Sequence, residues 1–219
     1  MSTDWIHADW PAADNIVAGT TTRESGMPDL PAEPLWLNQV HGATVLSAGD
    51  PSFGDVPPDA DALIASKAKA VIAVKTADCL PVLLCSKSGD EIAAAHCGWR
   101  GLVAGVLANT VAAMAASPDD LLVWFGPAIS QAAYEVGDEV RAAFVAVDGE
   151  AAACFESNDK GRWQADLYGL ARLTLAAAGV TQIFGGGLCT FTDSKRFFSY
   201  RRERSTDRIT SFIYRLERL

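Results

Sequence analysis

The sequence predicts an α+β protein whose sheets and helices form separate layers. Short apolar runs bounded by polar turns occupy the middle of the chain and fit strands that are buried on both faces. Only three segments have helical character, and they do not alternate with the strands as in the βαβ units of a parallel sheet. Because 219 residues with 49% hydrophobic content suit one substantial core, we expect residues 1–219 to form a single domain.

The strands are predicted from apolar runs and from the turns between them. Residues 1 to about 61 are rich in Pro, Gly and Asp, which indicates short strands and turns. Residues 150–162 contain no comparable apolar run and are expected to form a surface loop. The predicted strands after the first region cover residues 62–65, 70–74, 80–85, 91–96, 121–125, 182–184 and 209–214.

The helices are predicted from composition and from their end signals. The Ala-rich segment 102–116 predicts one helix that ends before Pro118. A second helix is predicted over residues 137–147. The third begins after Asp166, a favourable N-cap residue, and stops at Gly179.

Charge and composition limit the partners that the protein can have. Twenty-seven acidic against eighteen basic side chains give a net charge of -9, which would repel nucleic acid and anionic lipid surfaces. The first residues lack a basic region followed by an apolar stretch, and no run of about 18 apolar residues is present, so we expect a cytoplasmic protein that does not contact a membrane. Five cysteines, an odd number, indicate free thiols rather than a disulfide framework.

Two of the three histidines and one cysteine form a candidate metal site. His41 and His96 lie beside glycines in turn-like segments, and Cys79 precedes a predicted buried strand. Their separations of 38 and 17 residues match no local zinc-binding motif, so the fold would have to assemble the site. One thiolate and two imidazoles suit zinc and leave a fourth position for water or substrate. The alternative is that both histidines are hydrogen-bonded turn residues and Cys79 is a small core residue.

The motifs along nearly the whole chain resemble those of the YfiH-like or laccase-domain family. The family includes proteins described as polyphenol oxidases, purine nucleoside phosphorylases and peptidoglycan editing factors. The departures from its pattern are Cys97, where alanine is usual, and the segments 25–27 and 206–208. The matching segments are Thr21–Arg23, Asn38–Gly42, Asp61–Ile64, Thr76–Leu83, Ala95–Gly101, Gly126–Ile129, Tyr134–Gly137, Cys189–Thr190 and Phe197–Arg202.

The resemblance implies a four-layer α-β-β-α sandwich with mixed sheets and a zinc ion bound by His41, Cys79 and His96, with copper possible in vitro. It implies phosphorolysis of purine nucleosides (adenosine, inosine, guanosine, methylthioadenosine), together with adenosine deamination. The expected partners are therefore a small-molecule nucleoside and phosphate, and we expect a monomer or weak homodimer. Deamination lacks an evident proton shuttle, because the sequence has no His-x-Glu motif of the known base deaminases.

Several other residues in the family motifs are candidates for catalysis or substrate binding. Asp78 could orient a ligand imidazole or accept a proton, or it could cap a turn. Guanidinium groups suit phosphate, although each could equally form a structural ion pair. Phe198 and Tyr200 could stack on a purine, or they could belong to the core. The candidate arginines are Arg23, Arg100, Arg201 and Arg202.

Three rival functions use the same residues. Cys79 could act as a nucleophile with His96 as its base, in a metal-free hydrolase that cuts amide bonds such as those of peptidoglycan precursors. A weak copper-dependent polyphenol oxidase is also compatible with the sequence, but three histidines could hold one copper at most. A zinc-stabilised binding module without catalysis would instead require a closed site with four ligands.

Overall fold

The computed structural model describes residues 5–217 and confirms the α+β class with mixed sheets. The helices in this range are α1 (Trp99–Ala104), α2 (Val106–Ala113), α3 (Asp138–Val147), α4 (Leu167–Ala177) and α5 (Tyr200–Glu203). The strands are β1 (Ile6–His7), β2 (Ile16–Thr20), β3 (Val45–Ser47), β4 (Ala62–Ala65), β5 (Val71–Thr76), β6 (Leu80–Ser86), β7 (Ile92–Cys97), β8 (Leu121–Phe125), β9 (Glu135–Val136), β10 (Phe155–Ser157), β11 (Trp163–Ala165), β12 (Gln182–Gly185) and β13 (Ile209–Arg215).

The largest sheet has six strands in the order β12-β8-β6-β7-β4-β3. Its centre is the antiparallel hairpin of β6 and β7, in which every residue is buried, as continuous apolar runs predict. Parallel pairs at both edges, β12 with β8 and β3 with β4, make the sheet mixed. The hairpin register places the start of β6 beside the end of β7, which is where the chemically interesting residues lie.

A second sheet, in the order β1-β2-β13-β5, packs against one face of the six-stranded sheet. Helices α1 to α4 cover the opposite face of the six-stranded sheet, where their apolar side chains form the largest core cluster. The outer face of the four-stranded sheet, around Phe212 and Tyr214, is covered by irregular chain that contributes Met27, Leu30 and Trp36. The order of layers is thus helices, sheet, sheet and a final layer without long helices.

The helix predicted over residues 102–116 is wrong in its continuity and in both of its ends. Gly105 adopts φ +93° and separates α1 from α2, and its N–H donates to the carbonyl of Leu102. A positive φ is accessible to glycine without steric cost, so one residue redirects the chain. The second helix stops at Ala113 because the Glu91 carboxylate accepts hydrogen bonds from the N–H groups that follow, those of Ala115 and Ala116.

The surface loop predicted over residues 150–162 is also wrong. Residues Gly149–Cys154 form a 3-10 helix, and β10 and β11 then make a hairpin that joins β9 in a three-stranded sheet. Asn158 closes the hairpin turn, because its side-chain oxygen accepts from the N–H groups of Lys160 and Arg162. The polar composition reflects an exposed hairpin rather than the absence of structure.

Helices α3 and α4 confirm the other two helical predictions to within about one residue. All five cysteines are free thiols. Within residues 5–217, no helix has the length and apolar character needed to cross a lipid bilayer.

Candidate metal centre and active site

The fold brings His41, Cys79 and His96 together from three separate segments. Cys79 immediately precedes β6 and His96 lies in β7, so the register of the hairpin makes them neighbours. His41 reaches them from the loop before β3. The ligand atoms of the three side chains lie within 4.8 Å of one another, and across the described residues no other group of at least three His, Cys, Asp or Glu side chains could hold a metal ion.

Asp61, which immediately precedes β4, holds both histidine segments in place. Its Oδ1 lies 2.8 Å from Nδ1 of His96, and its two carboxylate oxygens accept hydrogen bonds from the backbone N–H groups of Val40, His41 and Gly42. The side chain is fully buried, with 0% exposure. Because Nδ1 of His96 is bonded to this carboxylate, Nε2 is the nitrogen that remains for a metal.

The backbone around the ligands is shaped to leave room for them. His41 adopts φ +60°, an uncommon conformation for a residue with a side chain, and the three hydrogen bonds to Asp61 hold it there. A Cβ atom on Gly98 would lie 3.0 Å from Sγ of Cys79 and 3.1 Å from Cδ2 of His41. Glycine at position 98 therefore allows the close approach of two ligand side chains.

The protonation states of Cys79 and His96 are coupled. Burial by itself would raise the pKa of Cys79, but hydrogen bonds from His41 and His96 outweigh it and lower the pKa to about 6. Burial would also lower the pKa of His96, but its hydrogen bonds to Asp61 and Cys79 raise it to about 9. Without a metal, the site at neutral pH thus holds a thiolate beside an imidazolium.

This donor set fits a zinc ion. A thiolate and two imidazole nitrogens are ligands that zinc prefers, and the buried carboxylate on His96 fixes the ring as in carboxylate–histidine–zinc arrangements. The cluster supplies three ligands, which leaves a coordination position for water or substrate. One thiolate and two imidazoles also match part of the ligand set of single-copper sites.

Two clefts meet at the ligands. The first, which we call the arginine cleft, has a volume of about 280 Å³. Asp78 and Tyr200 also face it, and Trp99, Tyr134 and the metal ligands His41 and Cys79 contribute to its wall. Three guanidinium groups line this cleft: those of Arg100, Arg201 and Arg204.

The second, which we call the threonine cleft, has a volume of about 610 Å³ and reaches all three ligands. Lys75 and Arg208 are its cationic residues, and Thr76 also contributes to its wall. The Gln39 side chain supports its edge through paired hydrogen bonds of 2.8 Å with the backbone N–H and carbonyl of Lys75. His41, Ala77, Cys79 and Tyr200 belong to both clefts.

Asp78 is not the residue that orients a ligand imidazole, contrary to one of its predicted roles. Its Oδ1 accepts a hydrogen bond from the hydroxyl of Thr190, and its Oδ2 accepts one from the backbone N–H of Arg201. Both contacts are 2.7 Å. Asp78, with φ +87°, therefore anchors α5 beside the ligand Cys79, and Asp61 takes the orienting role.

The candidate substrate residues divide into two groups. Arg100, Tyr200 and Arg201 line the arginine cleft. Arg23 and Phe198 line neither cleft: the guanidinium group of Arg23 pairs with Glu203, donates to the carbonyl of Phe197 and lies 4.5 Å from the centre of the Phe198 ring. Arg202 is likewise occupied, because its N–H groups donate to the carbonyls of Thr190, Phe191 and Phe197.

Sequence reasoning missed several residues of the site. Asp61 was noticed as part of a motif but given no role, although an acidic residue that opens a buried apolar strand needs a partner. Tyr134 in the arginine cleft and Arg208 in the threonine cleft lie in segments that the family comparison singles out, but motif membership alone assigns them no role. Arg204 and Lys75 carry no signal in the sequence, because only the fold places them near the ligands.

The chain matches a family model and two named proteins over most of its length. The family model described as multi-copper polyphenol oxidoreductase laccase matches residues 13–216. A protein of Escherichia coli (strain K12) named purine nucleoside phosphorylase YfiH is 53% identical, over 85% of this chain and 75% of its own. A protein of Pseudomonas aeruginosa that is also named a purine nucleoside phosphorylase is 44% identical, over 96% of this chain and 98% of its own.

Solved structures have the same fold. The crystal structure of the Neisseria meningitidis protein NMB0706 superposes with a TM-score of 0.91 at 40% identity, covering 97% of this chain and 99% of that one. The crystal structure of YlmD from Geobacillus stearothermophilus superposes with a TM-score of 0.88 at 27% identity, covering 99% and 98%.

Proposed function

The chain belongs to the multi-copper polyphenol oxidoreductase laccase family, and we propose that it is a zinc-dependent purine nucleoside phosphorylase. Two relatives, 53% and 44% identical to this chain, are named purine nucleoside phosphorylases. The observation that carries the proposal is the cluster of His41, Cys79 and His96, which opens directly into two clefts rich in cationic groups. The proposed substrates are phosphate with adenosine, inosine, guanosine or methylthioadenosine.

The metal and the surrounding residues have separate tasks in this proposal. A zinc ion held by His41, Cys79 and His96 would supply a Lewis acid with an open coordination position. Asp61 keeps the ring of His96 in one orientation through the 2.8 Å contact at Nδ1. Arg100 and Arg201 bind the phosphate group by charge-assisted hydrogen bonds, as guanidinium groups commonly do.

The clefts support phosphorolysis better than adenosine deamination. Deamination requires an acidic group that moves protons to and from water and the base. Among the described residues that line the two clefts, Asp78 is the one acidic side chain, and both of its oxygens already accept hydrogen bonds from Thr190 and Arg201. Deaminase activity, if present, therefore draws its proton from a group other than a cleft carboxylate.

A cysteine-type amide hydrolase is the second candidate function. The observation in its favour is the thiolate of Cys79, which is stabilised by hydrogen bonds from His41 and His96 and resembles the ion pair of cysteine nucleophiles. Copper-dependent oxidation of phenols has less support. The cluster offers three ligands for a single ion, and the whole chain contains three histidines.

The test is turnover by protein of measured zinc content. The wild-type protein and Cys79→Ala are incubated with inosine or adenosine, with and without phosphate, and free base, inosine and ribose 1-phosphate are separated by chromatography. Cys97→Ala, which removes a neighbouring thiol buried in the core, is the matched control. We expect phosphate-dependent base release that Cys79→Ala abolishes and Cys97→Ala retains.

Two outcomes would change the conclusion. No turnover of these nucleosides by zinc-loaded wild-type protein would contradict the phosphorylase. Full activity of zinc-free protein on an amide substrate, abolished by alkylation of Cys79, would establish the hydrolase instead.

A further inference from the structure

We propose that the two substrates bind in the two clefts that meet at the metal ligands, with phosphate in the arginine cleft and the purine nucleoside in the threonine cleft. The ribose then lies at the junction, where both clefts share His41, Cys79 and Tyr200. This assignment rests on the proposed phosphorylase function and adds to it the location of each substrate and a hydrogen-bond partner for the nucleoside, Thr76.

The chemistry of phosphorolysis requires two compartments. A phosphate oxygen forms a bond to C1′ of the ribose while the bond from C1′ to the purine nitrogen breaks, and the bonding electron pair leaves with the base. The proton of hydrogen phosphate balances the charge on the purine, so the products are ribose 1-phosphate and the neutral base. In displacement with inversion, the nucleophile and the leaving group occupy opposite faces of C1′, and two clefts that share one junction can hold the two groups in separate compartments.

The arginine cleft suits the smaller, anionic substrate. Its volume of about 280 Å³ is less than half that of the other cleft. The guanidinium carbon of Arg100 lies over the ring of Trp99, 4.5 Å from its centre, and a guanidinium group held over an aromatic ring can still bind oxygen atoms through its N–H groups. Asp78 also faces this cleft, but its carboxylate accepts two hydrogen bonds, from the Thr190 hydroxyl and the Arg201 backbone N–H, which partly offset its negative charge.

The threonine cleft suits the nucleoside, which is several times larger than phosphate. Thr76 lies in its wall with a residue exposure of 1%, and its hydroxyl has no hydrogen-bond partner. The oxygen is itself closed to solvent. A buried hydroxyl without a partner is unfavourable, so a nucleoside that reaches it through a small shift of the cleft wall gains affinity from satisfying it. A purine nucleoside offers hydroxyl groups and ring nitrogens for this purpose, and Leu37 gives the same cleft an apolar surface.

Tyr200 is placed to separate the two substrates. The centre of its ring lies 5.3 Å from the guanidinium carbon of Arg204 and 5.8 Å from that of Arg208, and these two arginines line the arginine and threonine clefts respectively. The side chain remains 47% exposed. Because Asp78 anchors the N–H of Arg201 in α5, the position of Tyr200 is tied to the segment that carries Cys79.

The test separates the Michaelis constants of the two substrates. Thr76→Val keeps the shape of the side chain and removes the hydroxyl; we expect KM for inosine to rise about 5- to 30-fold, with KM for phosphate unchanged. Arg100→Gln should raise KM for phosphate about tenfold or more and leave KM for inosine unchanged. Thr76→Ser, which restores the hydroxyl, should recover most of the affinity for inosine.

The controls exclude indirect effects. Zinc content is measured for every variant, and Lys87→Gln, at the far end of β6 and paired with Asp120, tests the loss of a cation away from the clefts. Calorimetric titrations of zinc-loaded protein with inosine alone and with phosphate alone give the two affinities without turnover. The pattern of losses in the titrations should match that of the Michaelis constants.

Three outcomes would overturn the assignment: a rise in KM for phosphate in Thr76→Val, a rise in KM for inosine in Arg100→Gln, or no change in either variant. Failure of the proposed function is a different result, namely no phosphate-dependent base release by the wild-type protein. In that case the two calorimetric titrations alone would decide where inosine and phosphate bind.

Discussion

The carboxylate of Asp61 and the imidazole of His96 form a fully buried pair, with 2.8 Å between Oδ1 and Nδ1. The same carboxylate accepts three backbone hydrogen bonds from the segment that carries His41. One side chain therefore positions two of the three candidate metal ligands, and its loss should affect both.

We expect Asp61→Asn to weaken zinc binding about 10- to 100-fold, because an amide can replace the hydrogen bonds only in part and removes the charge that orients the imidazole. Competition with a chromophoric chelator measures the affinity. Asp55→Asn, the same change at an exposed aspartate earlier in the chain, is the control and should bind zinc like the wild type. Equal affinities for all three proteins would contradict the role of Asp61.

Gly98→Ala should distort the ligand cluster. The added Cβ would lie 3.0 Å from Sγ of Cys79, tighter than most Cβ contacts in proteins, so we expect about 1–3 kcal/mol of destabilisation together with lower zinc occupancy. Urea unfolding and metal analysis give the two readouts. Gly49→Ala has open space around its new methyl group and should change neither. A Gly98→Ala protein that matched the wild type in both readouts would show that the ligand side chains can shift to accommodate the methyl group without loss.

In metal-free protein, alkylation of Cys79 should persist to unusually low pH. The pKa of its thiol is lowered from 9.0 to about 6, so the reactive thiolate is present above about pH 6 and disappears as the pH falls through that value. Mass spectrometry after brief exposure to iodoacetamide across pH 5–9 measures the midpoint, and zinc should protect the residue. A midpoint near 9 would contradict the thiolate–imidazolium pair.

Zinc binding near pH 7.5 should release about one proton. With a pKa of about 9, His96 is protonated at that pH and must lose its proton to bind zinc, whereas Cys79 is already a thiolate. The released protons are obtained by calorimetry in buffers of different ionisation enthalpy. Release should fall toward zero as the pH rises above about 9, and a value that stays constant from pH 7 to pH 10 would exclude His96 as the source.

Gly105→Ala should destabilise the fold by about 1–2 kcal/mol without affecting zinc binding, because an alanine at φ +93° is strained whatever space surrounds it. Urea unfolding measures the loss, with Gly26→Ala, which has open space and no positive φ, as the control. A stability equal to that of the wild type would mean that the break between α1 and α2 can rearrange into one continuous helix.

The sequence predicted the buried strands and the candidate ligands better than it predicted the connections between them. Continuous apolar runs are sufficient to indicate β6 and β7, and family motifs indicated His41, Cys79 and His96. The sequence does not mark Gly105 as a break between two helices, because a single glycine within an Ala-rich helical pattern is often tolerated inside the helix.

The roles of charged side chains were harder to predict, because they depend on partners far away in the chain. Arg23 and Arg201 both belong to arginine-containing motifs, yet Arg23 meets Glu203, 180 residues later, and Arg201 faces the arginine cleft. Asp61 and Asp78 both lie in family motifs shortly before a buried strand, so the sequence does not distinguish their roles. Only the fold shows that Asp61 bonds to an imidazole and Asp78 to a hydroxyl and a backbone N–H. Local sequence patterns carry no information about such long-range pairings.

The wide separation of the three ligands along the chain has a consequence for folding as well as for catalysis. His41, Cys79 and His96 lie 38 and 17 residues apart, so an ion bound to all three closes two loops and acts as a reversible cross-link. Such a link stabilises the folded chain in proportion to the logarithm of the free zinc concentration above the dissociation constant. The supply of zinc would then set the lifetime of the protein as well as its activity.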